Sequence, residues 1–151
     1  MDGNMQGNGR IQAIMFDFGG VIAEEGFKKG LLEIARKHGL AEQEFIEAAF
    51  DATYASGYVL GRATEAHFWR EVKKRTGLAG PEVSLWDDIY PHFVIRGWMM
   101  DLVRKLKEKG LTVGILSDQT DMLDRLNDRD DFFRWFDYVF NSYHLGKGKR
   151  D

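Results

Sequence analysis

The sequence predicts an α/β fold built on a parallel β-sheet. Three short apolar runs, around residues 11–16, 111–116 and 138–140, are separated by longer segments in which apolar residues recur at helical spacing. Strands and helices that alternate in this way favour parallel pairing through right-handed crossovers. The segment 24–91 follows the first run and has a helical pattern throughout, so we expect an all-helical insertion at this point of the chain.

The first strand is predicted at residues 11–16, which are apolar at every position but Gln12. This pattern is typical of a strand that is buried on both faces of a parallel sheet. Asp17 follows at the carboxyl end, where such sheets bind ligands, so Asp17 is a candidate functional residue. Gly19 and Gly20 leave the backbone accessible, and their N–H groups could face an oxyanion. A solvated Asp in a turn is the alternative.

The helical insertion is predicted to contain four helices. The first ends at Gly39, and the third begins at Thr64 and ends near Gly77. Apolar residues mark one face of each helix in turn: Phe27, Leu31, Ile34 and Ala35; Phe45, Ala48, Ala49 and Ala52; Phe68, Trp69 and Val72; Leu85, Trp86 and Ile89. Some aromatic residues here either line a pocket or form the bundle core, and helical spacing favours the core. These residues are Phe27, Tyr54, Tyr58, Phe68 and Trp69.

The rest of the chain is predicted to contain a helix, the second strand, another helix and the third strand. The first of these helices ends at Gly110, the second strand covers residues 111–116, and the third strand lies around Val139. The core-facing residues of the two helices are Met99, Leu102, Val103 and Leu106, and then Met122, Leu123 and Leu126.

Composition excludes several classes of protein. The chain has 151 residues, is 44% hydrophobic, carries a net charge of −3 and contains no cysteine. A chain of this length suits one domain. Without a basic block we expect no nucleic-acid partner, and without a long apolar run we expect no membrane partner. Without cysteine there is no disulfide framework or thiolate metal site, and a cytoplasmic protein is expected.

Polar groups are predicted to converge at one edge of the sheet. Asp17 follows the first strand, Ser117 and Asp118 follow the second, and Lys147 or Lys149 follows the third. A carboxylate, a hydroxyl, backbone N–H groups and an ammonium group together suit a phosphate group during transfer. Taken singly, such a Ser is more often a helix cap and such lysines are more often solvated, but their convergence favours a site.

These motifs resemble those of the haloacid dehalogenase-like hydrolases, the HAD superfamily. Residues 16–22 match its first motif, an apolar strand that ends in a nucleophilic Asp, and residues 114–118 match the second. Residues 142–151 resemble the third motif, in which Lys149 is a better match than Lys147. The helical insertion is similar in place and size to the cap of one subgroup.

The resemblance implies a Rossmann-like core at residues 10–22 and 92–151 and a helical cap at 23–91. Residues 1–9 are rich in Gly and Asn and lack periodicity, so they are predicted to be a flexible tail. The resemblance also implies a Mg²⁺-dependent phosphatase of a small phosphorylated metabolite. In that enzyme Asp17 is the nucleophile, Ser117 holds the transferring group and Lys149 balances charge. Phe18, Gly19 and Asp118 bind the phosphate, while Asp17 and the Gly19 carbonyl hold the metal.

The chain departs from the family pattern at two places. Most phosphatases of the family have an Asp that acts as general acid and base at the position where this chain has Gly19. A family member would also continue beyond Asp151 to a fourth motif, which is acidic. We therefore expect Asp151 not to be the natural end, so that the last strands of the core are missing and this 151-residue chain alone is inactive. If Asp151 is the natural end, the first strand has an uncovered edge, and we expect another copy of the chain to cover it.

Two other functions remain open. A 2-haloacid dehalogenase would use Asp17 on carbon without Mg²⁺ and would need an Arg near the substrate carboxylate or halide, for which Arg62 is the candidate. An inactive scaffold would use the helical insertion for protein contacts.

Overall fold

The computed structural model describes residues 9–80 and 83–151, so the predicted tail lies outside the described residues except for Gly9. The strands and helices in chain order are β1 (Ala13–Phe16), α1 (Gly26–Lys37), α2 (Glu42–Ala55), α3 (Glu65–Thr76), α4 (Gly97–Glu108), β2 (Thr112–Ser117), α5 (Met122–Asp130), β3 (Tyr138–Asn141) and α6 (Ser142–Leu145). Short turns of 3-10 or π-helix lie at Tyr58–Leu60, Leu85–Ile89, Tyr90–His92 and Phe133–Trp135.

The described strands form one parallel sheet in the order β1-β2-β3. Phe16 pairs with Ile115, and Ser117 pairs with Asn141, so the three strands end at the same edge. The predicted α/β class with a parallel sheet is confirmed.

The prediction that the first strand is buried on both faces is wrong. β1 lies at one side of the sheet, and one of its faces is open, with Ile11 68% and Met15 39% exposed. The same face continues across the sheet through Leu116, Tyr138 and Phe140, which are also exposed. An apolar run shows that side chains can be buried, but it cannot show how many neighbouring strands or layers are there to bury them.

The helices of the insertion begin and end largely where the sequence predicts. Thr64 accepts a hydrogen bond from the His67 N–H at the start of α3, and Gly77 ends that helix in the left-handed conformation. The predicted fourth helix is a single π-turn, and Trp86 on it is exposed. In the described part of the chain, no helix is both long enough and apolar enough to span a membrane.

The predicted core stripe on α4 is correct for Met99 and Val103 but wrong for Leu102. Met99 and Val103 are buried, Leu106 is partly buried, and Leu102 is 38% exposed. Helical spacing predicts which residues share a face, but the packing partner decides how wide the buried stripe is.

The helical insertion contacts the core directly at the 3-10 turn that follows α2. The Ser142 hydroxyl donates a hydrogen bond of 2.6 Å to the Val59 carbonyl, and the Tyr58 hydroxyl donates one to the Asp121 carboxylate. Gly61 has a left-handed backbone with φ of 73°, and a Cβ there would lie 2.3 Å from the Tyr143 carbonyl oxygen. These contacts fix one corner of the insertion onto α6 and onto the start of α5.

The start of the sheet is held by Asp137, which precedes β3. Its carboxylate accepts hydrogen bonds from the Val113 N–H at 2.9 Å and from Lys107 Nζ at 3.2 Å. The Asp137 N–H donates to the Val113 carbonyl at 2.7 Å. The bond from Val113, followed by the bond from Lys107, lowers the pKa of Asp137 below its usual value.

Alanine substitution should show how much of the stability cost at Gly61 comes from the close approach to Tyr143 and how much from the left-handed backbone. Gly39 also has positive φ, at 65°, but has nothing within 4 Å of a Cβ, so Gly39→Ala should cost about 1 kcal/mol of unfolding free energy. Gly61→Ala should cost about 1 to 3 kcal/mol more, because the methyl group meets the Tyr143 backbone. Urea unfolding of both variants measures this difference. Equal losses would show that the insertion does not approach α6 this closely.

The Asp137 carboxylate should contribute to the pH dependence of stability. Because the folded-state pKa is lowered, its contribution is full above the ordinary Asp pKa of about 3.9 and is lost as the pH falls through the folded-state pKa. Asp137→Asn should therefore lower the unfolding free energy at pH 7 and flatten its decline in acid. Asp101→Asn, at an exposed pair with Arg104, is the control. Denaturant unfolding between pH 2 and pH 7 compares them, and identical curves would contradict this role for Asp137.

Candidate active site

Asp17 stands at the carboxyl end of β1 and is bonded through one of its two carboxylate oxygens. Its Oδ1 accepts hydrogen bonds from the Phe18 N–H at 2.8 Å and from the Ser117 hydroxyl at 3.1 Å. Lys149 Nζ lies 3.1 Å from the same oxygen. No described residue donates a hydrogen bond to Oδ2, so this oxygen remains available to a ligand or to an electrophile.

The backbone after Asp17 is folded into a tight loop that keeps this carboxylate in place. The Phe18 carbonyl accepts hydrogen bonds from the next N–H groups that can reach it, those of Val21, Ile22 and Ala23. Gly20, which has φ of 76°, donates its own N–H to the Ala23 carbonyl at 2.8 Å. The expectation that the Gly20 N–H faces an anion is therefore wrong, because that N–H already has an acceptor.

Arg96, the residue before α4, forms hydrogen bonds with the far end of this loop. Its Nη1 donates to the Gly20 carbonyl at 2.8 Å, and its Nε and Nη2 each donate to a Glu24 carboxylate oxygen at 3.2 Å. The hydrogen bond from Arg96 lowers the pKa of Glu24, although burial opposes this shift. The backbone of residues 22–24 also pairs with that of 94–96, so both sides of the loop are fixed.

Asp118 connects the loop after β2 to the loop that carries Lys149. Its Oδ1 accepts a hydrogen bond of 3.0 Å from the Lys149 N–H. Gly148 donates to the Asp151 carboxylate at 2.7 Å, which closes a turn around Lys149. The structure therefore brings Asp17, Ser117, Asp118 and Lys149 together, and the lysine that reaches Asp17 is Lys149 and not Lys147.

Phe18 and Gly19 have different surroundings. The Phe18 ring is fully buried and stacks on Phe132 and Phe93, with ring centroids 5.3 and 6.0 Å away, so only its backbone is near the site. Gly19 lines the cavity beside Asp17, and no described residue donates a hydrogen bond to its carbonyl oxygen.

A cavity of about 250 Å³ opens at Asp17 and extends into the helical insertion. Its charged and amide residues are Asp17, Glu25, Asp118, Gln119 and Lys149, and its other residues are Gly19, Phe27, Phe50, Thr53, Tyr54, Tyr58, Val59, Phe68, Leu85, Thr120 and Met122. The sequence did not decide whether five aromatic residues line a pocket or form the core, and four of them line the cavity: Phe27, Tyr54, Tyr58 and Phe68. Trp69 is buried outside it.

Glu25 and Gln119 are site residues that sequence reasoning missed. A Cβ at position 19 would lie 3.4 Å from Glu25 Oε2 and 3.6 Å from Gln119 Nε2. Glu25 also caps α1, since its Oε1 accepts a hydrogen bond from the Lys28 N–H at 3.4 Å. An acidic residue before a helical pattern is a helix-cap signal, but only the folded loop brings it beside Gly19.

Burial shifts the pKa values of two tyrosines in the cavity wall. Burial and the hydrogen bond to Asp121 raise the pKa of Tyr58, and burial followed by the charge of Asp118 raises the pKa of Tyr54. Both hydroxyl groups therefore stay neutral near pH 7. Arg62, the candidate for a dehalogenase, is exposed and does not line the cavity.

The site offers oxygen ligands and no nitrogen or sulfur cluster. Among the described residues, no three His, Cys, Asp or Glu side chains converge as a metal site. The Asp17 carboxylate and the Gly19 carbonyl oxygen are the candidate ligands. Mg²⁺ commonly binds through one or two carboxylates, keeps several waters and contacts substrate phosphate, so this oxygen donor set fits Mg²⁺.

The fold is similar to that of solved haloacid dehalogenase-like structures. A HAD-family enzyme from Bacteroides thetaiotaomicron in complex with magnesium and inorganic phosphate has a TM-score of 0.63 and 22% identity over 94% of this chain and 74% of that chain. A predicted HAD-like hydrolase from Porphyromonas gingivalis has a TM-score of 0.63 and 22% identity over 93% of this chain and 71% of that chain.

A dehalogenase is also among the similar structures. L-2-haloacid dehalogenase from Xanthobacter autotrophicus, with chloropropionic acid covalently bound, has a TM-score of 0.60 and 16% identity over 93% of this chain and 60% of that chain. No protein-family model and no curated protein matches the chain. The chain therefore has the haloacid dehalogenase-like fold, as the motifs predict.

Proposed function

Starting from the haloacid dehalogenase-like fold, we propose that this chain carries the site of a phosphatase that acts on a small phosphate monoester through an aspartyl intermediate. The observation that carries this proposal is the bonding of Asp17. One oxygen accepts a hydrogen bond from the Ser117 hydroxyl and forms an ion pair with Lys149 Nζ at 3.1 Å, while the other accepts a hydrogen bond from no described residue. In a carboxylate held in this way, the contacts to one oxygen fix the orientation of the group, and the other oxygen is available to attack an electrophile.

In the first step Asp17 Oδ2 attacks the phosphorus atom. The new O–P bond forms as the bond from phosphorus to the ester oxygen breaks, and the departing oxygen takes a proton. The Ser117 hydroxyl and the Lys149 ammonium lie within 3.1 Å of Asp17 Oδ1, close enough to contact oxygens of the transferring group. Their positive ends offset the negative charge on those oxygens.

In the second step water attacks the phosphorus of the aspartyl phosphate and regenerates Asp17. Water must lose a proton, and the alcohol leaving in the first step must gain one. The Glu25 carboxylate lies beside Gly19 in the cavity wall, so we assign this proton transfer to Glu25 Oε2. In this proposal the Glu25 carboxylate takes the role of the Asp that most phosphatases of the family have at the position of Gly19.

Mg²⁺ is proposed as the cofactor, held by Asp17 and the Gly19 carbonyl together with waters and the phosphate. When bound, it would supply positive charge against the phosphate oxygens. The magnesium and phosphate complex of the similar Bacteroides enzyme supports this assignment. In this proposal residues 23–91 act as a cap over the site, and the protein is cytoplasmic.

The lining of the cavity supports a phosphate monoester over a 2-haloacid as the substrate. A haloacid has a carboxylate that needs its own cation, whereas Lys149 is the one cation among the described lining residues and is already paired with Asp17. Arg62, the candidate for the Arg that a dehalogenase would need, does not line the cavity.

Asp17→Asn should reduce phosphate release by at least about 10³-fold, because the amide is a poor nucleophile. The control is Asp51→Asn, at an exposed position of α2, which should keep full activity. Phosphate release from a panel of monoesters, with and without Mg²⁺, measures the effect. If only halide is released, and from a 2-haloacid, the protein is a dehalogenase. If neither product forms with this chain or with a longer form of it, the scaffold function stands.

Lys149→Met should weaken binding of inorganic phosphate, and Lys147→Met should not. Lys149 Nζ lies 3.1 Å from Asp17, whereas Lys147 is exposed and does not line the cavity. Loss of one charge-assisted contact corresponds to about 10-fold or more in affinity. Calorimetric titration with phosphate in the presence of Mg²⁺ compares the two variants. Equal affinities would remove Lys149 from the proposed site.

A further inference from the structure

We propose that the ester group of the substrate is small, uncharged and apolar, an inference that rests on the proposed phosphatase function. The cavity that opens at Asp17 has two chemically different ends. Its charged residues surround Asp17, and the part inside the helical insertion is mostly apolar. A phosphate monoester placed with its phosphorus at Asp17 must direct the rest of the molecule into that apolar part.

The charge of the cavity disfavours a second anionic group. Three carboxylates line it, those of Asp17, Glu25 and Asp118, against the single ammonium of Lys149 among the described lining residues. Phosphate already requires that ammonium. A carboxylate or a second phosphate in the apolar part would be buried without a partner, at a large cost in free energy.

Arg150 does not change this balance. It lines an adjoining groove that shares Tyr54, Asp118 and Lys149 with the cavity, and Asp151 lines the same groove with the opposite charge. A second anion on the substrate would therefore have to leave the cavity to meet a cation.

The apolar part offers the hydroxyl groups of a sugar or polyol one hydroxyl that has no hydrogen-bond partner among the described residues, that of Tyr54, and its other hydroxyls are already bonded. The Thr53 hydroxyl donates to the Ala49 carbonyl within α2, and the Tyr58 hydroxyl donates to Asp121. The Thr120 hydroxyl accepts from the Met122 N–H. The Thr53 and Tyr58 hydroxyls already donate their one proton within the protein, so each can only accept from a substrate hydroxyl, and a sugar or polyol would bury several hydroxyl groups with too few partners.

Aromatic rings form much of the wall. Phe27 and Phe50 meet edge to face with centroids 5.0 Å apart, and Phe68 lies 6.1 Å from Phe27 and 6.0 Å from Tyr58. Such rings pack well against a planar or branched apolar group. The volume of about 250 Å³ lies below the range of about 300 to 1,000 Å³ that is usual for drug-sized ligands, which favours a small group.

The test compares three monoesters with alkyl leaving groups: benzyl phosphate, 4-carboxybenzyl phosphate and glycerol phosphate. We expect kcat/KM for benzyl phosphate to exceed that for each of the others by at least about tenfold. Equal or higher values for the carboxylated ester or for the polyol ester would overturn the inference while leaving the phosphatase function intact.

A new cation in the apolar wall should favour the carboxylated ester, which the unchanged cavity is expected to disfavour. Phe50→Lys places an ammonium inside the cavity, and Phe140→Lys makes the same change on the open face of the sheet, where the side chain is equally exposed at 37%. Phe50→Lys should raise the ratio of kcat/KM for the carboxylated ester to that for benzyl phosphate by about tenfold, and Phe140→Lys should leave it unchanged. An unchanged ratio in a folded Phe50→Lys protein overturns the inference.

Binding of benzylphosphonate and of its 4-carboxy derivative separates the two proposals. These phosphonates are not hydrolysed, so calorimetric titration reports the preference of the cavity without turnover. If no ester releases phosphate, the phosphatase function fails. Tighter binding of benzylphosphonate then still supports an apolar cavity, whereas equal binding contradicts it.

Discussion

The parallel register of the three strands is the constraint on which the site depends. Because Phe16 pairs with Ile115 and Ser117 pairs with Asn141, the strands end together, and Asp17, Ser117 and the loop after β3 meet at one edge. Asp17 Oδ1 then accepts a hydrogen bond from Ser117 and lies 3.1 Å from Lys149. A shift of one residue in either register would turn these side chains to the other face of the sheet. The loop at 17–24 and the turn at 148–151 preserve this arrangement by bonding their own backbone groups.

Local signals explain what could be predicted from the sequence. Asp17 follows an apolar run and precedes two glycines, and Ser117 follows a second run, so each could be placed at a strand end. The residues alone leave Lys147 and Lys149 open, and the resemblance to the third family motif favours Lys149. Thr64 and Gly77 mark the ends of α3 because a cap and a left-handed residue act within a few positions of their own place in the chain. The fold class follows from the alternation of these local elements.

Contacts between distant segments explain what could not be predicted. Glu25 has the sequence signal of a helix cap, and only the loop after β1 brings it beside Gly19. The aromatic residues of the insertion have core spacing, yet Phe27, Tyr54, Tyr58 and Phe68 also line the cavity, because the packed helices leave a space where they meet the sheet edge. The exposure of Met15 and Leu102 likewise depends on which elements cover them, and apolar patterning does not contain that information.

The central claim is that Asp17 forms a covalent bond with phosphorus. The most direct measurement is a borohydride quench of the protein mixed with benzyl phosphate and Mg²⁺, followed by mass spectrometry of the peptide that contains Asp17. An aspartyl phosphate is reduced to homoserine, so we expect that conversion at Asp17 when the ester is present and none when it is absent. Phosphate release during the same mixing time with an unchanged Asp17 peptide would contradict the account.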